Sequence, residues 1–473
     1  MTEQNIDPQT PEQDVIPAEM VEAVQDELHR DPAFINLIQE AIDAENGEAV
    51  HELVDELHAA DVADIFETLS SSYRGSLLEI LGDTLDPEIL AELEGVAQDE
   101  IYESLSNDQI ANAVSEMDTD DAVYVLEELD EKDQLEVLDS LAPDDRAAIE
   151  ESLSYPEDSA GRLMQRDLIA LPDFWTIGQA IDHMRDDTED HPLDFYNIFV
   201  VDPAFKPIGT VPLSKLICSK RTLKLSEVME EDPHVISVMK DQEDVAYQFS
   251  KYHLISTAVV NDFGRLVGMI TVDDVVDVIE EEAEEDIMAL AGVYEGSINE
   301  TIFDITRMRF TWLFVNLLTA VLASTVIFYF GATIEQMVAL AVLMPIVASM
   351  GGNAGTQTMT VAVRAIATKE LNSSNWWRIL NREMLVAFVN GTLLASISGV
   401  VAWLWFDDAI LGSVFAFAMV VNLIVAGFFG LMIPVMLDKM DIDPAISSSV
   451  FVTTITDVIG FFAFLGVAAA VLF

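Results

Sequence analysis

Large apolar residues recur every twelve positions in the first third of the chain, at Leu57, Leu69, Leu81, Leu93, Leu105, Met117, Leu129, Leu141 and Leu153. Four residues before each stands another, mostly aliphatic: Leu53, Ile65, Leu77, Ile89, Ile101, Ala113, Val125, Val137 and Ile149. An i, i+4 pair marks one face of a short helix, and the polar clusters that follow, such as Asn107-Asp108, Asp118-Thr119-Asp120 and Pro143-Asp144-Asp145, suit turns and caps. Residues 31–153 are therefore expected to form a right- or left-wound helical solenoid with a carboxylate-rich outer face, a shape for docking rather than catalysis. His51 and His58 read as surface residues there, and no nucleophile–base pair occurs.

Pro156 and Gly161 stop the twelve-residue period. Over residues 154–285 short β-rich runs alternate with helical ones, and the pattern occurs twice. Val200, Val201, Asp202, Gly209, Val211 and Leu213 match Val259, Val260, Asn261, Gly268, Ile270 and Val272 at a constant offset of 59. Ile177, Ile181 and Met184 match Val245, Phe249 and Tyr252 at an offset of 68, so the first copy carries about nine extra residues around Asp186–Asp194. Two β-α-β-β-α units are expected, about 165–224 and 225–285. The second runs into an acidic helical pattern, Val272 to Asp286, and a connecting helix over 286–309 leads to five apolar stretches long enough to span a bilayer: about 310–331, 336–363, 384–406, 411–437 and 447–473. The expected fold is multidomain: an all-α helical repeat, an α/β tandem pair and a five-helix all-α transmembrane domain over 310–473.

Charge divides the chain along the same line. Of 84 acidic and 22 basic residues, 9 and 7 fall from Arg307 onward, which leaves 75 and 15 before it, or about −60 of the net −62. Such a surface attracts cations and excludes nucleic acid as a partner; a general acidic coat suited to a salty environment is the plainer reading of most of its carboxylates. The single Cys218 excludes an intrachain disulfide. Residues 1–30, rich in Pro, Gln and acid, read as a disordered tail without a cleavable signal. Arg307, Arg309, Arg364, Lys369, Arg378, Arg382 and Lys439 flank the spans on one side, whereas the opposite loops hold Glu335 and Asp407-Asp408. The positive-inside rule then places the N-terminus in the cytoplasm and the C-terminus outside, in a multi-pass protein of the cytoplasmic membrane.

One carboxylate interrupts the last span. Asp457 lies ten residues past Ser447, roughly 15 Å at helical rise and hence near the middle of a ~30 Å hydrocarbon core. An ionised side chain there normally faces water or a partner, which points to an ion path; the alternative is a buried Asp hydrogen-bonded by Thr453, Thr454 and Thr456. In the second span Gly351 and Gly355 form a G-x-x-x-G packing pair, while Gly352, Asn353, Thr356 and Gln357 offer carbonyls and neutral oxygens to a pore. Asp443 stands at the cytoplasmic mouth. Along the acidic helix Asp273, Asp274, Asp277, Glu281, Glu284 and Glu285 repel one another and would gain from divalent cations, or form a solvated linker. No phosphate-binding glycine loop or catalytic triad is present, which disfavours an enzyme.

The doubled unit resembles a tandem cystathionine-β-synthase (CBS) pair, a regulatory module that can bind adenine nucleotides, so ATP is the cofactor it would admit. Tyr155-Pro156-Glu157-Asp158-Ser159-Ala160-Gly161, the CBS pair with its acidic helix, Gly351-Gly352-Asn353-Ala354-Gly355-Thr356-Gln357, Asp443-Pro444-Ala445 and Thr453-Thr454-Ile455-Thr456-Asp457-Val458 together resemble the MgtE family of magnesium channels. The resemblance implies a homodimer with a pore on its two-fold axis, lined mainly by the second and fifth spans. It also implies Mg²⁺ as both cargo and regulator, an acidic cytosolic assembly that closes the pore when internal Mg²⁺ is high, and Asp457 as the central ion-binding residue. A broader carrier of divalent cations (Co²⁺, Mn²⁺, Ni²⁺), or a membrane-anchored nucleotide sensor without transport, are the alternatives.

Overall fold

The computed structural model describes residues 31–186, 195–231, 233–293, 302–371, 374–440 and 442–472. The expected tail, most of the extra residues after Asp186 and the middle of the connecting segment lie outside the described residues. The chain divides into two compact units, Met1–Val245 with Leu254–Val272, and Ala246–His253 with Asp273–Phe473.

In the first unit the twelve-residue beat is carried by helices that begin at Ala59, Ser71, Gly95, Asn107, Thr119, Glu131 and Pro143. Each start needs a cap. Ser106 supplies one as a capping box with Gln109, and the His58 ring accepts from the Ala60 amide at 3.3 Å. At several ends the leucine of the ladder is itself the C-cap: Leu69, Leu105 and Leu141 have extended backbone, which turns the chain while the side chain stays on the core side. All eighteen ladder positions are buried in one apolar core or packed against it. One beat departs from the pattern. Gly82 takes φ +47°, a 3₁₀ turn spans Gly82–Thr84 and only a short helix, Glu88–Ala91, follows Pro87, because proline cannot donate to a continuing helix.

The tandem pair forms two sheets, β1 to β4 (Ala170–Pro172, Asn197–Val201, Pro207–Pro212, Glu230–Glu231) and β5 to β7 (Val235–Ser237, Ser256–Val260, Leu266–Thr271), in sequential order. β1 runs parallel to β2 and β5 to β6; the hairpins β2–β3 and β6–β7 are antiparallel. The register shifts at Val200/Val201 and again at Val259/Val260, the same irregularity 59 residues apart. Asn197 donates to the Ser256 hydroxyl at 2.9 Å, and these are equivalent residues of the two copies, so the pair meets around a local two-fold axis. Phe199, Val201, Ala258, Leu266 and Met269 form a core shared by both sheets.

The segment between repeat and CBS pair is held by Arg162, whose guanidinium donates to the carbonyls of Leu153 and Tyr155, both at 2.9 Å, and pairs with Glu127. A side chain on Gly161 would overlap the Tyr155 ring, and the amides of Ala160 and Gly161 donate to Lys240 and Val238. Arg162→Ala strands two carbonyls and a half-buried carboxylate. It should destabilise this junction by about 2 kcal/mol, less than for a fully buried pair. Faster proteolysis between Leu153 and Met164 in the full-length protein is the readout.

The second unit holds five helices apolar and long enough to cross a membrane, with spans Arg309–Tyr329, Ala339–Ala367, Trp376–Phe406, Ala409–Asp438 and Ser449–Val471. The fourth is the hub: half of its most apolar window is buried, against 6% for the first. Small residues let its neighbours close in. Gly412 meets the Gly399 carbonyl, and a Cβ on Gly430 would lie 2.8 Å from the Gly355 carbonyl. The acidic helix Val272–Leu290 ends before Gly292 (φ +71°), and its last turn packs Ala289 against Met359, Val363, Ala445 and Val452.

Candidate cation path

Asp457 sits on the helix Pro444–Val471 and is half-buried. The neighbouring hydroxyls do not serve it. Thr453 donates to the Ser449 carbonyl at 2.9 Å, Thr454 to Val450 at 2.6 Å and Thr456 to Thr453 at 2.9 Å. Their protons are therefore committed to their own helix, leaving the Asp457 carboxylate without the hydroxyl donors that a closed hydrogen-bonded site would supply.

The second spanning helix runs antiparallel against this one. A Cβ on Gly355 would overlap Val452 and come within 3.7 Å of Thr456, and a Cβ on Gly352 would lie 3.7 Å from the Thr453 methyl. Asp457 lies one turn beyond Thr453 on the last helix. Along the second helix Ser349, Asn353, Thr356, Thr360 and Arg364 are all exposed, at steps of four, three, four and four residues, with Gln357 beside them. Thr360 donates to the Thr356 carbonyl at 3.0 Å, but the Asn353 and Gln357 amides would be left unsolvated against lipid, which favours water or protein at this face.

The sequence-predicted residues separate into groups. Gly352 faces the Thr453 methyl of the last helix, Asn353 and Thr356 lie exposed on the second helix, and Asp457 is half-buried on the last. Gly351 is buried, its face taken by Asn422 of the fourth helix. Asp443 is exposed, and its carboxylate accepts from the Ala445 amide at 2.7 Å as the N-cap of the last helix. Asp273, Asp277, Glu281, Glu284 and Glu285 lie exposed on the acidic helix, with Asp274 partly covered. Packing around the carboxyl, and then the charges of Asp273 and Glu280, hold Asp277 above the usual carboxylate range. Two participants were not singled out by sequence. Asp286, near the end of that helix, is raised by burial and then by the charge of Asp443, which places two carboxylates near each other where the acidic helix meets the start of the last helix. Asn422 is the other; a lone amide in an otherwise apolar span was the available signal. No group of three or more His, Cys, Asp or Glu that could hold a metal ion occurs among the described residues.

Fold and site define a multi-pass membrane protein with a cytosolic-type helical repeat and a tandem CBS pair. Family models match at residues 344–467 (MgtE, divalent cation transporter), 57–158 (MgtE intracellular N domain) and 225–281 (CBS domain). The chain is 30% identical over 319 residues to the magnesium transporter MgtE of Bacillus subtilis, covering 67% of this chain and 70% of that one. It is 32% identical over 325 residues to that of Thermus thermophilus, covering 67% and 71%. Among solved structures, the cytosolic domain of the Mg²⁺ channel MgtE in complex with ATP aligns at 29% identity and a TM-score of 0.48, over 52% of this chain and 99% of that one. The chain belongs to the MgtE family.

Proposed function

We propose that this protein is a Mg²⁺-selective channel that takes up magnesium across the cytoplasmic membrane as a homodimer, with its N-terminus in the cytoplasm and its C-terminus outside. The observation that carries this is the half-buried Asp457 carboxylate in mid-span, its threonine neighbours turned to their own backbone, on a helix packed against the second spanning helix with its exposed polar stripe. Mg²⁺ sheds water reluctantly and prefers octahedral oxygen, so one carboxylate per subunit plus neutral oxygens suits a hydrated ion. Two copies facing across an axis would present about two negative charges, which favours a divalent over a monovalent ion in a low-dielectric setting.

Closure follows from charge. Asp286 and Asp443 repel in the packed arrangement, and the same holds along Asp273 to Glu285. Internal Mg²⁺ binding between such carboxylates would favour the docked helix over a loosened one, and a ligand shifts an equilibrium only through that difference. An ATP site in the first CBS copy is supported by a cleft of about 390 Å³ with apolar walls from Ile181, Phe195, Leu213 and Ile217 and the guanidinium groups of Arg185 and of Arg221, the latter already paired with Asp182.

Purified protein in vesicles loaded with a Mg²⁺ indicator tests the reading. Influx is expected on adding external Mg²⁺, with Co²⁺, Mn²⁺ and Ni²⁺ slower. Equal rates for all four would leave the broader carrier, and no influx the non-transporting sensor.

A further inference from the structure

The fourth spanning helix carries one amide in an otherwise apolar run, Asn422, and its side chain is fully buried. Nδ2 donates to the Val347 carbonyl of the second helix at 2.8 Å. Oδ1 is buried and accepts no hydrogen bond. A glycine lies on either side of the amide. A Cβ on Gly460 of the last helix would stand 2.8 Å from Nδ2 and 2.9 Å from Oδ1, and a Cβ on Gly351 of the second would overlap the nitrogen. One side chain therefore sets how closely three helices approach.

Its level matters. Gly460 is three residues beyond Asp457, and Gly351 adjoins Gly352, which faces Thr453. Bulk alone does not call for asparagine here, because leucine has nearly the same shape and would leave no buried oxygen without a donor. An amide that keeps one unpaired atom in order to hold the Val347 carbonyl is better explained by the orientation it enforces than by the space it fills.

We infer that Asn422 is a positioning residue for the cation path: by tying the second helix to the fourth between two glycines, it fixes the height of the Gly351–Gly352 backbone against the turn that carries Asp457. The inference rests on the reading of Asp457 as the ion-holding group.

The test uses the full-length protein in a Cys218→Ser background, with spin labels at the exposed Val342 and Phe462, on the second and last helices. Asn422→Leu should fold and reach normal yield, shift the separation of the labels, and raise the half-saturating Mg²⁺ concentration by at least about threefold. That factor corresponds to one interhelical hydrogen bond in a membrane. The maximal rate should change less. Parent-like separation and half-saturation together would reduce Asn422 to packing. If the parent itself moves no Mg²⁺, the transport reading falls, and the label separation alone decides: a shift sustains the clamp, none overturns it. Should Asn422→Leu lower the yield, Asn422→Ser, small enough for the same cradle, carries both readouts.

Discussion

Asp457→Asn is expected to lower Mg²⁺ flux by about two orders of magnitude, equivalent to about 3 kcal/mol of lost ion stabilisation at 1.4 kcal/mol per decade. The amide is nearly isosteric and easier to keep in hydrocarbon than the charge, so yield and dimer elution should match the parent. Loss of transport without loss of protein separates an ion-binding role from a packing one. Asp457→Glu should give partial or no flux, since a longer arm moves the carboxylate away from the water shell it is meant to contact. Parent-level flux and selectivity in Asp457→Asn would transfer the ion site to Asn353 and the carbonyl of Gly352.

The second large effect concerns closure. Joint neutralisation of Asp273, Asp274, Asp277 and Glu281 to the corresponding amides should leave conduction open at millimolar Mg²⁺, where the parent is expected to shut, because ions would have nothing left to bridge along the helix. Channel recording across a range of internal Mg²⁺ reads this directly. Protons should act in the same direction as Mg²⁺. Asp277 and Asp286 are held above the usual carboxylate range in the packed arrangement, so that arrangement binds more protons than a loosened one. Its stability is therefore greatest below the usual carboxylate range and falls as pH rises through the raised values. At mildly acid pH the parent should close at lower Mg²⁺ than at neutral pH, and Asp277→Asn with Asp286→Asn should lose most of that shift. Equal protease protection of residues 273–290 with and without Mg²⁺ would refute this account, leaving the acidic helix as a solvated linker.

Much of this architecture was legible because it repeats or spans. A twelve-residue leucine ladder, a constant 59-residue offset and five long apolar runs are periodic signals that local chemistry fixes, and Asp457 stands out because hydrocarbon makes any charge conspicuous. What was not legible depends on residues far apart in sequence. Asn422 matters through Gly351 and Gly460, and Asp286 through Asp443; neither pairing has a local signature. The third spanning helix begins at Trp376 rather than near 384 because Arg378, Arg382 and Glu383 lower hydropathy yet are good helix formers, so the helix continues past the apolar run. The departure at Gly82–Ala91 was masked because Leu81, Ile89 and Leu93 keep the ladder's spacing and remain buried while the backbone between them changes.

The helical repeat also fixes the grammar of length change in its own domain. Helices start at Asn107, Thr119, Glu131 and Pro143, and leucine ends such as Leu105 and Leu141 recur on the same count. Removing or duplicating one complete unit, for instance 107–118, rejoins a cap to a helix start and an aliphatic pair to the next pair. An insertion of another length inside a helix would rotate the rest of that helix's apolar face away from the core. Insertions and deletions there should be tolerated in twelves or within the turns, while point changes on the outward face leave the ladder intact and alter only the density of surface charge.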